Sequence, residues 1–439
     1  MAFTNPQYRV SRRSVVNKES EWVKMFDPPT ASPPTPERLE PNNPVPEVLE
    51  AARIQDRVRR AHTVQRDLLI SLDITAFDGR RLRTFAIGDD DNPSLKSGTF
   101  PASTIRMPRG VIFHCETKGK GPPPHTIHWH GLEPTPMNDG VGHCSMEIGE
   151  YIYQFQPNAM GTYFYHCHRN TVQHFEFGLY GMLIVDPPDS YFASLSPNGT
   201  LTSVPIGACL DGKRRVAANT TAFRQFPGFN NKPLTSGDPH AFTVPYDVEA
   251  IWVLGALDSN WNFFADNAKD FFPSHGSTPG VDDNFPHGFF NDYNPDYFFV
   301  TGVNAPGRSG TVELPPRLIM PPELNSGVSG TQISINAQLG QTVLLRYLNA
   351  QYGGSTVTFP VDVVLIAWDG RALGVPPYGS YNRAVLVRAG QPIQSSTARR
   401  FDALIRPTRA VDSFASVNIL QQRGGTDVMV TMKIPFTIK

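Results

Sequence analysis

The stretch Gly161–Met182, GTYFYHCHRNTVQHFEFGLYGM, decides how the rest of the chain is read. It sets Cys167 between His166 and His168, adds His174, and ends in an apolar tail at Leu179. A companion lies upstream at His125–Gly131, HTIHWHG. In an extended strand, side chains alternate faces, so residues two apart point the same way. His128 and His130 then share one side and Trp129 takes the other. Likewise His166 and His168 share a side, with Cys167 directed oppositely.

That alternation predicts two metal environments back to back, joined through the Cys167 backbone. On one side Cys167 can meet His125 and His174 in a trigonal His₂Cys site, the blue-copper pattern. On the other, the two HxH pairs can hold further metal. A thiolate with many imidazoles is a donor set that suits copper. Structural zinc is the weaker alternative, because its usual paired CxxC spacing is absent. A single HxH is commonly a polar strand face and a single buried Cys a small hydrophobe; it is their combination that points to metal.

HTIHWHGL, MNDG, GTYFYHCH and GLYGMLIVDPP resemble the copper motifs of multicopper oxidases, the laccase group and its two-domain relatives. The resemblance implies a role for each residue. His125, Cys167 and His174 resemble type 1 copper ligands, with Leu179 at the non-ligating axial position. Met182 is the rival axial ligand, but its place in the following strand favours core packing. His128 resembles the type 2 ligand, and His130, His166 and His168 resemble type 3 ligands. Asp139 resembles the acid that assists proton delivery near type 2 copper; a turn Asp before Gly140 is the alternative. The seven-residue step from Cys167 to His174 is nearer to nitrite reductase-like domains than to laccases.

The whole chain fits such a reading. Its 439 residues suggest two or three domains. Lys+Arg 39 against Asp+Glu 40 gives no electrostatic case for nucleic acid. Abundant Pro and Gly with short, turn-bounded strand patterns suit an all-β architecture. No apolar run reaches the roughly twenty residues that a membrane helix needs. With Cys167 given to copper, Cys115, Cys144 and Cys209 remain. The resemblance places Cys144 where laccases bridge to a neighbouring domain, so a Cys144–Cys209 disulfide and free buried thiols both stay open.

In chain order, residues 1–63 read as an N-terminal arm, Pro-rich over Pro28–Pro46, followed by a short helix over Pro46–Ala61. Ser11-Arg12-Arg13 lacks the apolar run of a twin-arginine export signal. Residues 64–190 read as a copper-binding cupredoxin-like domain. Its expected strands are Asp67–Phe77, Val111–Cys115, an adjacent pair Tyr151–Phe155 and Gly161–His166, and Gly181–Val185. The copper residues are expected on strand ends and one loop. Residues 191–245 read as a linker. Residues 246–439 read as a second cupredoxin-like domain, interrupted over 260–297 by an aromatic, acidic insertion. A folded loop burying its aromatics is the favoured reading of that insertion; a cation-binding loop is the alternative. The fold expected is thus two Greek-key β-sandwiches with an arm and a short helix.

One departure from the family bears on function. An oxygen-reducing trinuclear cluster implies four HxH pairs; this chain has two, and no histidine follows His287. Another polypeptide, or a second copy's first domain, would have to complete the cluster; otherwise the chain is a blue-copper electron carrier. The resemblance implies a copper oxidoreductase with type 1 and type 2/type 3 centres. A metal ion or phenol would be its donor and dioxygen its acceptor, in a homo- or hetero-oligomer. A blue-copper electron-transfer or structural subunit is the alternative, and a nitrite reductase-like enzyme a lesser one. A periplasmic or extracellular location is expected, although no signal peptide is visible.

Overall fold

The computed structural model describes residues 62–108, 113–120, 125–132, 134–141, 150–157, 161–169, 171–186, 248–262, 293–315, 333–372, 385–421 and 427–439. The N-terminal arm and its helix, the linker, Cys144, Cys209 and most of the acidic insertion lie outside these residues. No helix among the described residues is long and apolar enough to cross a membrane.

The first sandwich is built from β1 (His62–Thr75), β2 (Arg81–Asp89), β3 (Ala102–Pro108), β4 (Phe113–Lys120), β5 (His128–His130), β6 (Glu150–Phe155), β7 (Gly161–His166) and β8 (Tyr180–Asp186). One sheet runs β2-β1-β4-β6 and the other β3-β8-β7-β5. One helical turn, α1 (Thr171–Glu176), interrupts the return from β7 to β8. Two strands differ clearly from expectation: β1 runs His62–Thr75 rather than Asp67–Phe77, and β4 Phe113–Lys120 rather than Val111–Cys115.

Tyr151–Phe155 and Gly161–His166 are not adjacent, contrary to the sequence expectation. β6 pairs with β4, whereas β7 pairs with β5 and β8. The reason is apolar bulk. Tyr153 and Phe155 of β6 meet Trp129 of β5 with ring centroids 5.5 and 5.4 Å apart. Those rings are buried together only when their strands lie in opposing sheets.

The second sandwich contains β9 (Val248–Leu257), β10 (Tyr297–Val300), β11 (Val303–Asn304), β12 (Gly310–Glu313), β13 (Ile335–Ala337), β14 (Val343–Asn349), β15 (Ser355–Thr358), β16 (Val363–Trp368), β17 (Arg371–Ala372), β18 (Val385–Val387), β19 (Ile393–Ser395), β20 (Arg400–Ile405), β21 (Val411–Leu420) and β22 (Val428–Ile438). Its sheets run β11-β10-β9-β14-β20-β16-β17, with β18 on β16, and β12-β22-β21-β15-β19, with β13 on β22. β22 alternates buried Val430, Met432, Ile434 and Phe436 with more exposed neighbours, as a one-sided strand does.

β7 is buried along its whole length. Tyr163 and Tyr165 enter the first sandwich's core, with Cys167 just beyond the strand. Phe164 enters a second cluster, shared with Val253, Leu257, Tyr297, Phe299 and Leu348 of the second sandwich. A polar network crosses the same junction. Glu249 pairs with Arg106 at 2.5 Å and with Arg346 at 2.6 Å. Arg346 donates to Thr162 Oγ1 at 3.0 Å, and that hydroxyl donates to Asp402 at 2.5 Å.

Burial pushes the Glu249 carboxyl upward, but Arg106 and Arg346 outweigh it and hold it at about 2. Removing one partner of a buried ion pair leaves the others uncompensated and costs about 3–5 kcal/mol. Glu249→Gln is therefore expected to lower unfolding free energy by that order at pH 7, read by denaturant titration. The carboxylate contributes stability above its unfolded pKa, and this is lost as pH falls toward 2. The variant's deficit should accordingly shrink with acidification.

Candidate metal centre

Three side chains converge where β7 ends. Cys167 Sγ lies 3.2 Å from His174 Nδ1 and 3.8 Å from His125 Nδ1. All three residues are buried, and their donor atoms lie within 4.8 Å of one another. His125 precedes β5. His174 sits on α1, a helical turn where sequence reading expected a loop. Two backbone bonds close the return: Cys167 N–H donates to Leu179 O at 2.9 Å, and Leu179 N–H to His174 O at 3.0 Å. Gly178 (φ +108°) makes that path possible, because a Cβ there would lie 2.5 Å from the Phe100 ring.

Leu179 is fully buried and shares the cluster containing Cys167. Met182 pairs with Phe164 in register and packs in the junction cluster, on the other side of the sheet. The structure thus puts Leu179, not Met182, beside the Cys167 group.

The second donor set lies on the opposite face. β5 and β7 pair His128 with His166, and His130 with Phe164. Donor atoms of His128, His130 and His166 all lie within 4.8 Å of one another. His166 Nδ1 is 2.8 Å from Cys167 O, and His128 Nδ1 is 2.7 Å from Asp139 O. In each ring the nitrogen facing a carbonyl must carry the proton, which leaves Nε2 with its lone pair. His166 Nε2 faces His130 Nδ1 at 3.3 Å. Backbone carbonyls that orient imidazoles this way are a usual support for metal ligands. His168 is a ring neighbour, 5.1 Å from His128 and 5.7 Å from His166, outside the tight group.

Asp139 caps the 3₁₀ turn Pro136–Asn138. Its Oδ1 lies 3.2 Å from His128 Nδ1, but its own carbonyl is closer and takes the single ring proton. It therefore both ends a turn and stands at the histidine face.

Burial keeps His125 and His130 neutral, lowering them to about 4 and about 3. Burial likewise lowers His174 to about 3, reinforced by His125, and raises the Cys167 thiol to about 11. Neutral imidazoles beside a buried thiol form a soft, nitrogen-rich set that fits copper once the thiol loses its proton.

Residues 89–190 match the family model of multicopper oxidases. In this segment the chain is similar to multicopper oxidases. It is 42% identical over 103 residues to an L-ascorbate oxidase of Cucumis sativus, covering 21% of this chain and 17% of that protein. Copper resistance protein A of Pseudomonas syringae pv. tomato is 30% identical over 112 residues, covering 25% of this chain and 17% of that protein. The chain thus spans under a fifth of the length of the curated relatives it matches. The blue copper oxidase from Nitrosomonas europaea superposes with a TM-score of 0.50 at 18% identity, covering 86% of each chain. That likeness shows the fold: both sandwiches are cupredoxin-like.

Sequence reading missed the side chains that the second sandwich sends to this domain. Tyr352 donates to Thr171 O at 3.2 Å, and Arg400 lies over the Phe164 ring. No local motif announces either, because both arrive from strands and turns distant in sequence. Of the acidic insertion, Asp296 is engaged structurally, accepting from Ser259 N–H and Oγ at 2.8 Å each.

Because the thiol begins protonated and the imidazoles neutral, loading the Cys167 group at pH 7 should release about one proton per centre. Copper titration in weak buffer with a pH indicator measures this. Cys167→Ser should lose both the proton release and the intense blue absorption.

Proposed function

We propose that this chain is a copper-dependent oxidoreductase that uses dioxygen as acceptor and a metal ion or phenol as donor. One observation carries the reading. Two donor sets share the end of a single strand, with Cys167 on one face and its neighbours His166 and His168 bound for the other. Copper, when bound, would supply one-electron exchange at the Cys167 group and reducing equivalents for dioxygen at the imidazoles.

The chain's own groups have definable tasks. His125, Cys167 and His174 would hold the type 1 ion, with Leu179 closing the axial side by apolar packing. His128 would serve type 2, and His130, His166 and His168 type 3, with the His128 and His166 rings oriented by the carbonyls of Asp139 and Cys167. The Asp139 carboxylate, partly exposed beside His128, is suited to pass protons from solvent.

The cluster would be completed across a subunit interface. Support comes from exposure: His128, His130 and His168 are only partly buried, while His130 also stacks on Phe164. A partner's imidazoles would enter at this partly exposed face. A periplasmic or extracellular setting suits such chemistry. The second reading, a blue-copper electron-transfer subunit, is favoured by one observation: among the described residues, the second sandwich contributes no histidine.

Oxygen uptake with a phenolic or metal donor separates the two. His130→Ala is expected to abolish uptake while the blue colour persists. Normal oxygen consumption by that variant would refute the cluster assignment.

A further inference from the structure

Among the described residues, the second sandwich brings Arg400 to the histidine face. Arg400 opens β20, and its side chain is 3% exposed. Its Cζ lies 5.4 Å from the centroid of the Phe164 ring. His130 stacks on that same ring at 4.3 Å. Gly131, next in sequence, shows how tight the approach is: a Cβ there would lie 2.6 Å from Arg400 Nη2. The guanidinium therefore lies against the strand end that carries His130.

Its charge is incompletely balanced. Nη1 donates to Ala398 O at 2.6 Å and stands 3.5 Å from Asp369 Oδ1. Asp369 also holds Arg399 at 2.9 Å, so one carboxylate serves two guanidiniums. Asp402 is nearby but accepts from Thr162. Arg400 Nε is buried with no hydrogen-bond partner among the described residues.

We infer that Arg400 and Asp369 form an electrostatic pair that sets the metal preference of the His128/His130/His166 cluster. This rests on reading that cluster as a metal site. Repulsion from a fixed cation scales with ion charge, so a divalent ion is penalised twice as much as a monovalent one. The guanidinium itself is buried, so solvent screens its charge poorly. The guanidinium disfavours divalent ions and biases the neutral imidazoles toward cuprous copper. Neither residue offers the metal a donor atom; they are specificity-determining residues acting through charge.

The test uses the full, metal-free chain. Equilibrium dialysis against Co(II) counts total metal, and cobalt–thiolate absorption separates the Cys167 group from the imidazoles. Cu(I) affinity is read by competition with a chromophoric chelator. Arg400→Gln is expected to tighten Co(II) at the imidazoles about tenfold and Cu(I) about threefold. Asp369→Asn, which removes the balancing carboxylate, should loosen Co(II) by a smaller factor, about threefold, because Asp369 is partly exposed and screened by solvent. Asp369 has φ +50°, a conformation Asn tolerates, so that variant keeps the turn. A structural role would loosen both variants alike, and that result, or no change in either, overturns the inference. Should Arg400→Gln not fold, Asp369→Asn decides by its sign, and Arg400→Lys should keep wild-type values. A wild-type chain that takes no Co(II) beyond the Cys167 group would instead defeat the metal-site reading itself.

Discussion

Everything about this site depends on the two-residue alternation of an extended backbone at the end of β7. Because neighbouring side chains leave a strand on opposite faces, His166 and Cys167 cannot join the same donor group. The thiol enters the first sandwich's core and meets His125 and His174. His166 turns outward and meets His128 and His130. One covalent step separates two chemically different environments. That arrangement requires β7 to be buried on both faces, which is why GTYFYH lacks the polar alternation of a surface strand.

The second sandwich supplies that second burial. Its contact with Phe164, Tyr180, Met182 and Ile184 covers the outer face of the sheet bearing the imidazoles. Glu249, held between Arg106 and Arg346, fixes the alignment through charge rather than bulk. Close backbone approach adds a third constraint: Tyr163 donates to Gly370 O at 3.0 Å, and a Cβ on Gly161 would lie 2.5 Å from that same oxygen. The junction thus does more than join domains. It buries Phe164 beside the histidine face, where His128, His130 and His168 stay partly exposed.

The two side-chain groupings were legible in the sequence because their logic is local. HxH and HCH spacing, read with strand parity alone, separates Cys167 from His166 and His168. Met182 could be set aside by its place in the following strand, whereas Leu179 was indicated by the family resemblance. Three features were not legible. The pairing of β6 with β4 rather than β7 depends on which sheet buries Tyr153 and Phe155 against Trp129, a tertiary matter. The helical turn carrying His174 is six residues long, too short for a periodic signature. Arg400 reaches Gly131 only after two sandwiches dock, and nothing in the surrounding sequence marks it.

The measurement that tests the central claim most directly is copper per chain on copper-loaded protein, read with its EPR spectrum. Two donor sets on opposite faces of β7 predict more than one copper per chain, with a type 2 signal beside the type 1 signal. One copper per chain with a type 1 signal alone would contradict the account and leave an electron carrier.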